Sequence, residues 1–349
     1  MDRFVSSFAA LIAWSHPADS RWLQTYRVHS VKHESTIAAS AGRSGRAEWL
    51  TRPERGSLLM LRVMTRASRA LGRAPSRVLL HIIVIYFVLF APTERRNARN
   101  YLRRALGREP KFLDRFRHVL YFATTIHDRV YLLHECFEEF EISIEGEELV
   151  RAVDATGNGA FLMGAHMGSF EVTRAIGMHR PGIQVVMAMY SENARKIMTM
   201  LEALRPSVKP EIISLGRVEA MLKVRQRLED GAFVGIMGDR TLGNEPLQEV
   251  SFLGSRAYFP VGPMRAAALL GRPMIFMLGL YRGANRYQLV FELVADFSAV
   301  GPSERAAAVA DAVARYVALL EKYCRSDPYN WFNFFDFWRD ADSRSARPP

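Results

Sequence analysis

The stretch that decides the fold is Gly159-Ala-Phe-Leu-Met-Gly-Ala165, followed at once by His166-Met-Gly168-Ser169-Phe-Glu171. An unbroken apolar run of this length, closed by a glycine-bearing turn, reads as a strand buried on both faces. A helical pattern resumes behind the turn with Glu171 in its first turn. Strand, tight turn and helix start in succession form the unit of an open α/β sheet, whose ligands sit at the carboxyl ends of the strands. The texture continues downstream. Strand candidates are Gly159–Ala165, Gln184–Tyr190, Glu211–Leu215, Ala232–Gly238, Pro273–Leu280 and Tyr287–Leu293, with helix candidates at 169–179, 193–204, 217–229 and 262–270 between them. This alternation predicts an α/β fold with a mixed, largely parallel central sheet flanked by helices. Glu304 to Arg325 reads as a long closing helix.

Upstream the pattern is helical. Residues 1–47 read as a loose N-terminal tail without a secretory signal, 48–140 as a helical membrane-associating region, 141–340 as the α/β core and 341–349 as a C-terminal tail. Leu58 to Leu71 has helical periodicity and stops at Gly72. Arg62, Arg66, Arg69 and Arg73 recur on one helical face, either a solvated face or one for phosphates or acidic protein. Val78 to Ala91 is the most apolar segment, about 21 Å long as a helix and short of the ~30 Å hydrocarbon core. It reads as a buried helix or as one that dips into a single leaflet, with Arg77 before it and Arg95 and Arg96 after it to reach head groups. Thr93 reads as the cap of a basic helix running to Gly107, and a further helix covers roughly 111–139.

The chain has 349 residues and a net charge of +11, concentrated in residues 41–118, where 18 Lys/Arg face 5 acids. Such a block points to a polyanionic partner: nucleic acid, anionic lipid or an acidic carrier protein. Cys136 and Cys324 are the only cysteines, which excludes a disulfide-stapled module. No apolar run reaches the ~20 residues of a spanning helix, which excludes a polytopic membrane protein.

The chemistry centres on histidine and carboxylate. Three His-x-x-x-x-Glu pairs occur: His29/Glu34, His134/Glu139 and His166/Glu171. Positions five apart on a continuous helix diverge by about 140°, so His134/Glu139, in a helical pattern, is idle, and His29/Glu34 falls in the loose tail. Only His166/Glu171 straddles a turn that can bring its side chains together. A histidine oriented by a carboxylate is a general base; without a protein nucleophile beside it, it suits activation of an acceptor hydroxyl that attacks an acyl donor. The residues alone equally allow His166 to end a strand and Glu171 to favour a helix N-terminus. His134-Glu135-Cys-Phe-Glu138 lacks the second histidine of a zinc-protease helix, and nothing here calls for a metal or a cofactor.

Gly164-Ala-His166-Met-Gly-Ser-Phe-Glu171 resembles the histidine–carboxylate box of the lysophospholipid acyltransferase superfamily, and more closely its lipid A biosynthesis acyltransferase branch, whose box carries Glu. Gly235-Ile-Met-Gly-Asp239-Arg240-Thr-Leu-Gly243 resembles that branch's Asp-x-x-x-Gly motif, and Phe252-Leu-Gly254 with Phe259-Pro-Val-Gly262-Pro263-Met-Arg265 resembles its next block. Val261 stands where the glycerolipid branch carries an acid. The resemblance covers roughly residues 49–340. It implies transfer of a fatty acyl chain from acyl carrier protein to a glycolipid hydroxyl, such as that of a lipid A precursor, at the cytoplasmic face of a cell inner membrane. It implies His166 as base and Glu171 as its partner, with Asp239, Arg240, Gly243, Gly262 and Arg265 around the substrates. Gly262 opens a helix whose amides can take an anion or a developing oxyanion. The family also ends in a Trp-containing block, usually more basic than Asn330-Trp-Phe-Asn-Phe-Phe-Asp336. Those aromatics read as core packing, with an interfacial belt as the alternative.

Two other readings stand beside this one. The first is an acyltransferase of the same fold with another lipid acceptor or an acyl-coenzyme A donor. The second is a basic, non-catalytic nucleic-acid-binding protein. Against nucleic acid, the arginines of 41–118 are interleaved with aliphatic rather than aromatic residues, and no recognition motif is evident.

Overall fold

The fully buried strand β2 (Ala160–Gly164) lies near the middle of a seven-stranded sheet. The structure, a computed structural model, describes residues 65, 66, 68, 70–173, 183–205, 210–240 and 245–338. The sheet comprises β1 (Glu141–Glu145), β2, β3 (Val185–Tyr190), β4 (Ile212–Leu215), β5 (Phe233–Met237), β8 (Met274–Tyr281) and β9 (Arg286–Ala295) in the order β1-β9-β8-β2-β5-β3-β4. Strands β8, β2, β5, β3 and β4 run parallel; β9 turns back antiparallel to β8, and β1 lies parallel to β9. Apolar runs occupy the centre because parallel strands with both faces covered cannot place polar side chains. All eight residues of β8 are buried, whereas the edge strand β1, Glu-Ile-Ser-Ile-Glu, has no buried residue.

The six strands expected from the sequence are present with small shifts at their ends. The sequence reading missed β1, the antiparallel hairpin β6 (Leu247–Phe252) and β7 (Ser255–Pro260), and the short helix α4 (Glu147–Asp154). β1 and β6 are surface pieces rich in Glu, Gln and Ser, where period-2 apolar contrast is weak, and β7 pairs only with β6.

Among the described residues three helices with both ends defined precede the sheet, α1 (Arg73–Phe90), α2 (Pro92–Leu106) and α3 (Phe112–Leu133), and helical residues lie ahead of Gly72 as well. Gly72 at φ +84° caps α1, so Arg73 belongs to α1 and not to the preceding helical stretch. The expected arginine stripe on one helix is thereby broken; Arg62 and Arg69 lie outside the described residues. α1 is also longer than its apolar run suggested: 18 residues of mean hydropathy 1.6, long and apolar enough to cross a membrane by composition, with 33% of that stretch buried. Pro92 at the first turn, rather than a Thr93 cap, starts α2, and Gly107 in the left-handed region ends it. α3 stops at Leu133 because Glu135 takes φ +64°, and a single 3-10 turn, Phe137–Glu139, follows, so His134, Cys136 and Glu139 do not share the one continuous helix that the sequence suggested.

Buried polar groups lock α1 to the body. Arg73 Nε donates to Asp128 Oδ1 at 2.9 Å and Arg73 Nη2 to Asp128 Oδ2 at 3.0 Å; Tyr287 on β9 donates to Asp128 Oδ2 at 3.0 Å. Arg73 and Arg77 also donate to the carbonyl of Ala284 in the β8–β9 turn. The outward face of α1 is apolar: Val78, Ile82, Ile85 and Leu89, spaced 4, 3 and 4, are exposed, while Leu80, Val84, Phe87 and Val88 are buried. Phe112 and Leu113 at the start of α3 are exposed as well.

The further helices with both ends among the described residues are α5 (Ser191–Leu204), α6 (Val218–Glu229), α7 (Gly262–Leu270) and the closing α8 (Arg305–Ser326); of the helix expected at 169–179, residues 171–173 are helical and 174–179 lie outside the described residues. Tyr316 of α8, fully buried, donates to the carbonyl of Gly164 at the end of β2. After α8 and a turn closed by Asn330 N donating to Asp327 O, Pro328–Phe334 forms a strap that runs to the same strand ends.

Candidate active site

The register of two parallel strands builds the site. Gly164 at the end of β2 stands opposite Met237 at the end of β5, so two residues further on His166 stands opposite Asp239. The Asp239 carboxylate takes three hydrogen bonds: from His166 Nδ1 to Oδ1 at 2.8 Å, from the His166 backbone N–H to Oδ2 at 3.0 Å, and from Trp331 Nε1 to Oδ2 at 3.0 Å. An ionised carboxylate only accepts, so the proton of the neutral ring sits on Nδ1 and Nε2 carries the lone pair.

The turn after His166 is built to hold this geometry. Gly168 has φ +70°, and a Cβ there would collide with the carbonyl of Gly279 on β8. Its N–H donates to Asn330 O at 2.9 Å, Ser169 N donates to Gly279 O at 2.7 Å, and Phe332 N donates to His166 O at 2.9 Å. The strap is thus stitched to the turn on both sides of Met167, immediately after His166. The Asn330 side chain fixes the strap in turn, pairing with both backbone groups of Tyr281.

Glu171, expected to hold His166, does not. Its carboxylate lies 2.7 Å from Arg129 Nε of α3 and accepts from Ser169 Oγ at 3.1 Å. The physical reason is the tight turn at Gly168, which leaves Glu171 facing α3 while the β5 end supplies Asp239 to the imidazole. Asp239, assigned to substrate on the resemblance, is instead buried against the histidine at 1% exposure. Arg240 donates from Nη2 to Phe332 O at 3.1 Å and lies over the Phe335 ring at 5.1 Å, so it holds the strap. Gly262 is the first residue of α7, with Val261 at its N-cap, and Arg265 is on that helix's exposed face; among the described residues neither is hydrogen-bonded to His166. Gly243 lies outside the described residues. The sequence reading missed two residues of this site, Arg129 and Trp331. The signal for Trp331 was present as an aromatic block; the aromatics Trp331, Phe332, Phe334 and Trp338 are buried, as core packing requires.

Electrostatics keep the histidine neutral and the aspartate charged. Burial and then the nearby Arg240 charge hold the His166 pKa below its ordinary value, against the opposite pull of Asp239. Asp239 stays well below the usual carboxylate range because His166 and Arg240 outweigh the burial that pushes it up. Burial brings Arg240 down to about 10, still cationic at neutral pH. The His166 side chain retains 29% exposure, so Nε2 can meet a substrate.

A family model described as bacterial lipid A biosynthesis acyltransferase matches residues 63–340. The chain belongs to that family. No individually curated protein matches it. Membership implies an acyltransferase, and both His166 and Asp239 fall within the matched span. Among the described residues no cluster of His, Cys, Asp or Glu could hold a metal ion.

Proposed function

We propose that the protein transfers a fatty acyl chain from the thioester of acyl carrier protein to a hydroxyl of a glycolipid of the lipid A precursor type, working at the inner face of a membrane. The observation that carries this reading is the His166 ring, held at Nδ1 by Asp239 and placed at the carboxyl end of parallel strands with Nε2 left for a substrate. Nε2 takes the proton of the acceptor hydroxyl as its oxygen attacks the thioester carbonyl. Asp239 stabilises the imidazolium so formed. Collapse of the tetrahedral intermediate breaks the C–S bond, and the imidazolium returns its proton to the departing thiolate. The products are an ester and a free thiol. No covalent acyl-enzyme is needed. Glu171, tied to Arg129 and Ser169, orients the turn that carries the base.

The apolar outward face of α1, with Phe112 and Leu113 beside the basic helix α2, supports docking on a bilayer. Exposed Val78, Ile82, Ile85 and Leu89 enter the acyl region, and the exposed Arg95, Arg96 and Arg103 meet phosphates. The test is incubation of purified protein with acyl-carrier protein and a lipid A precursor, read by mass spectrometry. A product heavier by one acyl group, absent with His166→Ala, is expected. No acylated glycolipid, with acylation of another lipid in a total extract instead, would overturn the acceptor assignment.

A further inference from the structure

The strap Pro328–Phe334 is held at its carbonyls by side chains of the N-terminal helices. Tyr101 of α2 donates to Pro328 O at 2.8 Å, Asn97 Nδ2 of α2 donates to Phe334 O at 3.1 Å, and the imidazole of His118 on α3 lies with Nε2 2.9 Å from Trp331 O. His118 is fully buried. Its ring stacks on Phe334 at 4.8 Å and lies 5.5 Å from Tyr101 and 6.5 Å from Phe332. Its other nitrogen, Nδ1, is buried without a hydrogen bond. A carbonyl only accepts, so Nε2 carries the proton and His118 donates it to Trp331. In such an aromatic cage a phenyl ring would fill the space without the cost of burying two polar nitrogens. What a histidine adds there is one directed N–H.

That N–H is one link from the site. The Trp331 carbonyl it holds belongs to the residue whose indole donates to Asp239 Oδ2, and Asp239 Oδ1 accepts from His166. We infer that His118 is a positioning residue for acyl transfer: by fixing the Trp331 backbone it keeps the indole on Asp239 and, through Asp239, sets the orientation and basicity of His166. The inference rests on the reading of His166 as the base. Loss of the indole bond leaves Asp239 with one donor fewer, so its charge favours the imidazolium more strongly and the His166 titration moves to higher pH.

His118→Phe keeps the ring and removes the donor; His118→Gln places an amide N–H where Nε2 was. The primary readout is the titration of His166 by NMR in selectively histidine-labelled protein, with kcat and KM measured alongside. In His118→Phe the titration should shift upward, and kcat should fall about 10- to 100-fold with KM unchanged, the scale of a misaligned reacting group. His118→Gln should restore both. Asn97→Ala, which frees a different carbonyl of the strap, should leave the titration unmoved. Trp331→Phe removes the same donor to Asp239 without touching His118 and should shift the titration as His118→Phe does. Wild-type titration of His166 in folded His118→Phe would overturn the inference, as would a Gln variant no better than Phe. Wild-type titration in Trp331→Phe would overturn it however His118→Phe folds. The titration needs no acyl transfer, so it decides on His118 even where the acyl-transfer reading fails.

Discussion

His166 and Asp239 are 73 residues apart in the chain and 2.8 Å apart in space, joined through Nδ1 and Oδ1 across the ends of β2 and β5. The aspartate, not Glu171, therefore fixes the tautomer of the candidate base. His166→Ala should lower kcat by about 10²–10⁴. Asp239→Asn should cost on the same scale, because an amide offering its N–H to Nδ1 turns the ring to the wrong tautomer. Both variants should keep a near wild-type KM if they fold. Activity of Asp239→Asn within twofold of wild type, by the estimate of about 0.4 kcal/mol that this represents, would remove Asp239 from the mechanism.

The pH dependence follows from the same pair. The active form of His166 is neutral, and burial with the Arg240 charge lowers its pKa from 6.5. Activity should therefore persist as pH falls past 6.5 and be lost only below it, as the lowered pKa is crossed. Replacing Arg240 by Gln removes a group that lowers this pKa, so the acid limb of kcat/KM should move up. A limb that stays in place, or moves down, contradicts this account of the field at His166.

Glu171 is paired with Arg129. The two side chains lie 2.7 Å apart, at 11% and 19% exposure respectively. If Glu171 orients the turn through that ion pair, Glu171→Ala and Arg129→Ala should lower kcat by the same factor, and the double variant should be no worse than either. Additive losses in the three rate constants would instead give Glu171 a separate role at the reacting atoms.

Much of the fold was legible because β2, β5 and β8 are apolar runs with turn residues at their ends, and buried parallel strands have that signature. The box around His166 was legible for the same reason, since it ends one of those runs. The partner was not. Strand order is a long-range property, and only the β2–β5 register places Asp239 rather than Glu171 at Nδ1. Spacing in the chain favoured Glu171, and the left-handed turn at Gly168 defeated it. Trp331 was hidden by its neighbours: in an aromatic block no pattern distinguishes the ring that donates to a carboxylate from those that only fill space. Arg73 was misread because helical periodicity continues across Gly72, where the backbone does not.

Membrane binding should separate into two parts. Arg73, buried in its pair with Asp128, is not available to lipid; Arg73→Ala should instead destabilise the protein by about 3–5 kcal/mol, as breaking a buried pair does. The apolar part is Val78, Ile82, Ile85 and Leu89. Ile82→Ser with Leu89→Ser should weaken binding to vesicles at low and high salt alike. Changing Arg95, Arg96 and Arg103 to Gln should weaken binding to anionic vesicles at low salt, by ~1 kcal/mol per residue, and leave high-salt binding nearly unchanged. Vesicle flotation at two ionic strengths measures both; equal loss in both conditions for the arginine variant would refute the division.

The same arginines bear on the donor. Carrier proteins are small and acidic, and α2 presents Arg95, Arg96 and Arg103 to solvent while Arg99 is paired with Glu109. The chemistry at Nε2 is the same thioester attack for either donor, so discrimination must come from the protein surface. Attraction between an acidic carrier and α2 raises the on-rate and falls steeply with ionic strength, with a screening length of ~10 Å at 0.1 M salt. A short-chain acceptor in detergent removes the bilayer, so that the arginines are tested for the donor alone. At equal low concentration, kcat/KM should be higher for acyl carrier protein than for acyl-coenzyme A. The ratio should shrink as salt is added and shrink again in the Arg95→Gln, Arg96→Gln, Arg103→Gln variant, with kcat little changed because His166 and Asp239 are untouched. Preference for coenzyme A at low salt would assign the arginines of α2 to the membrane alone.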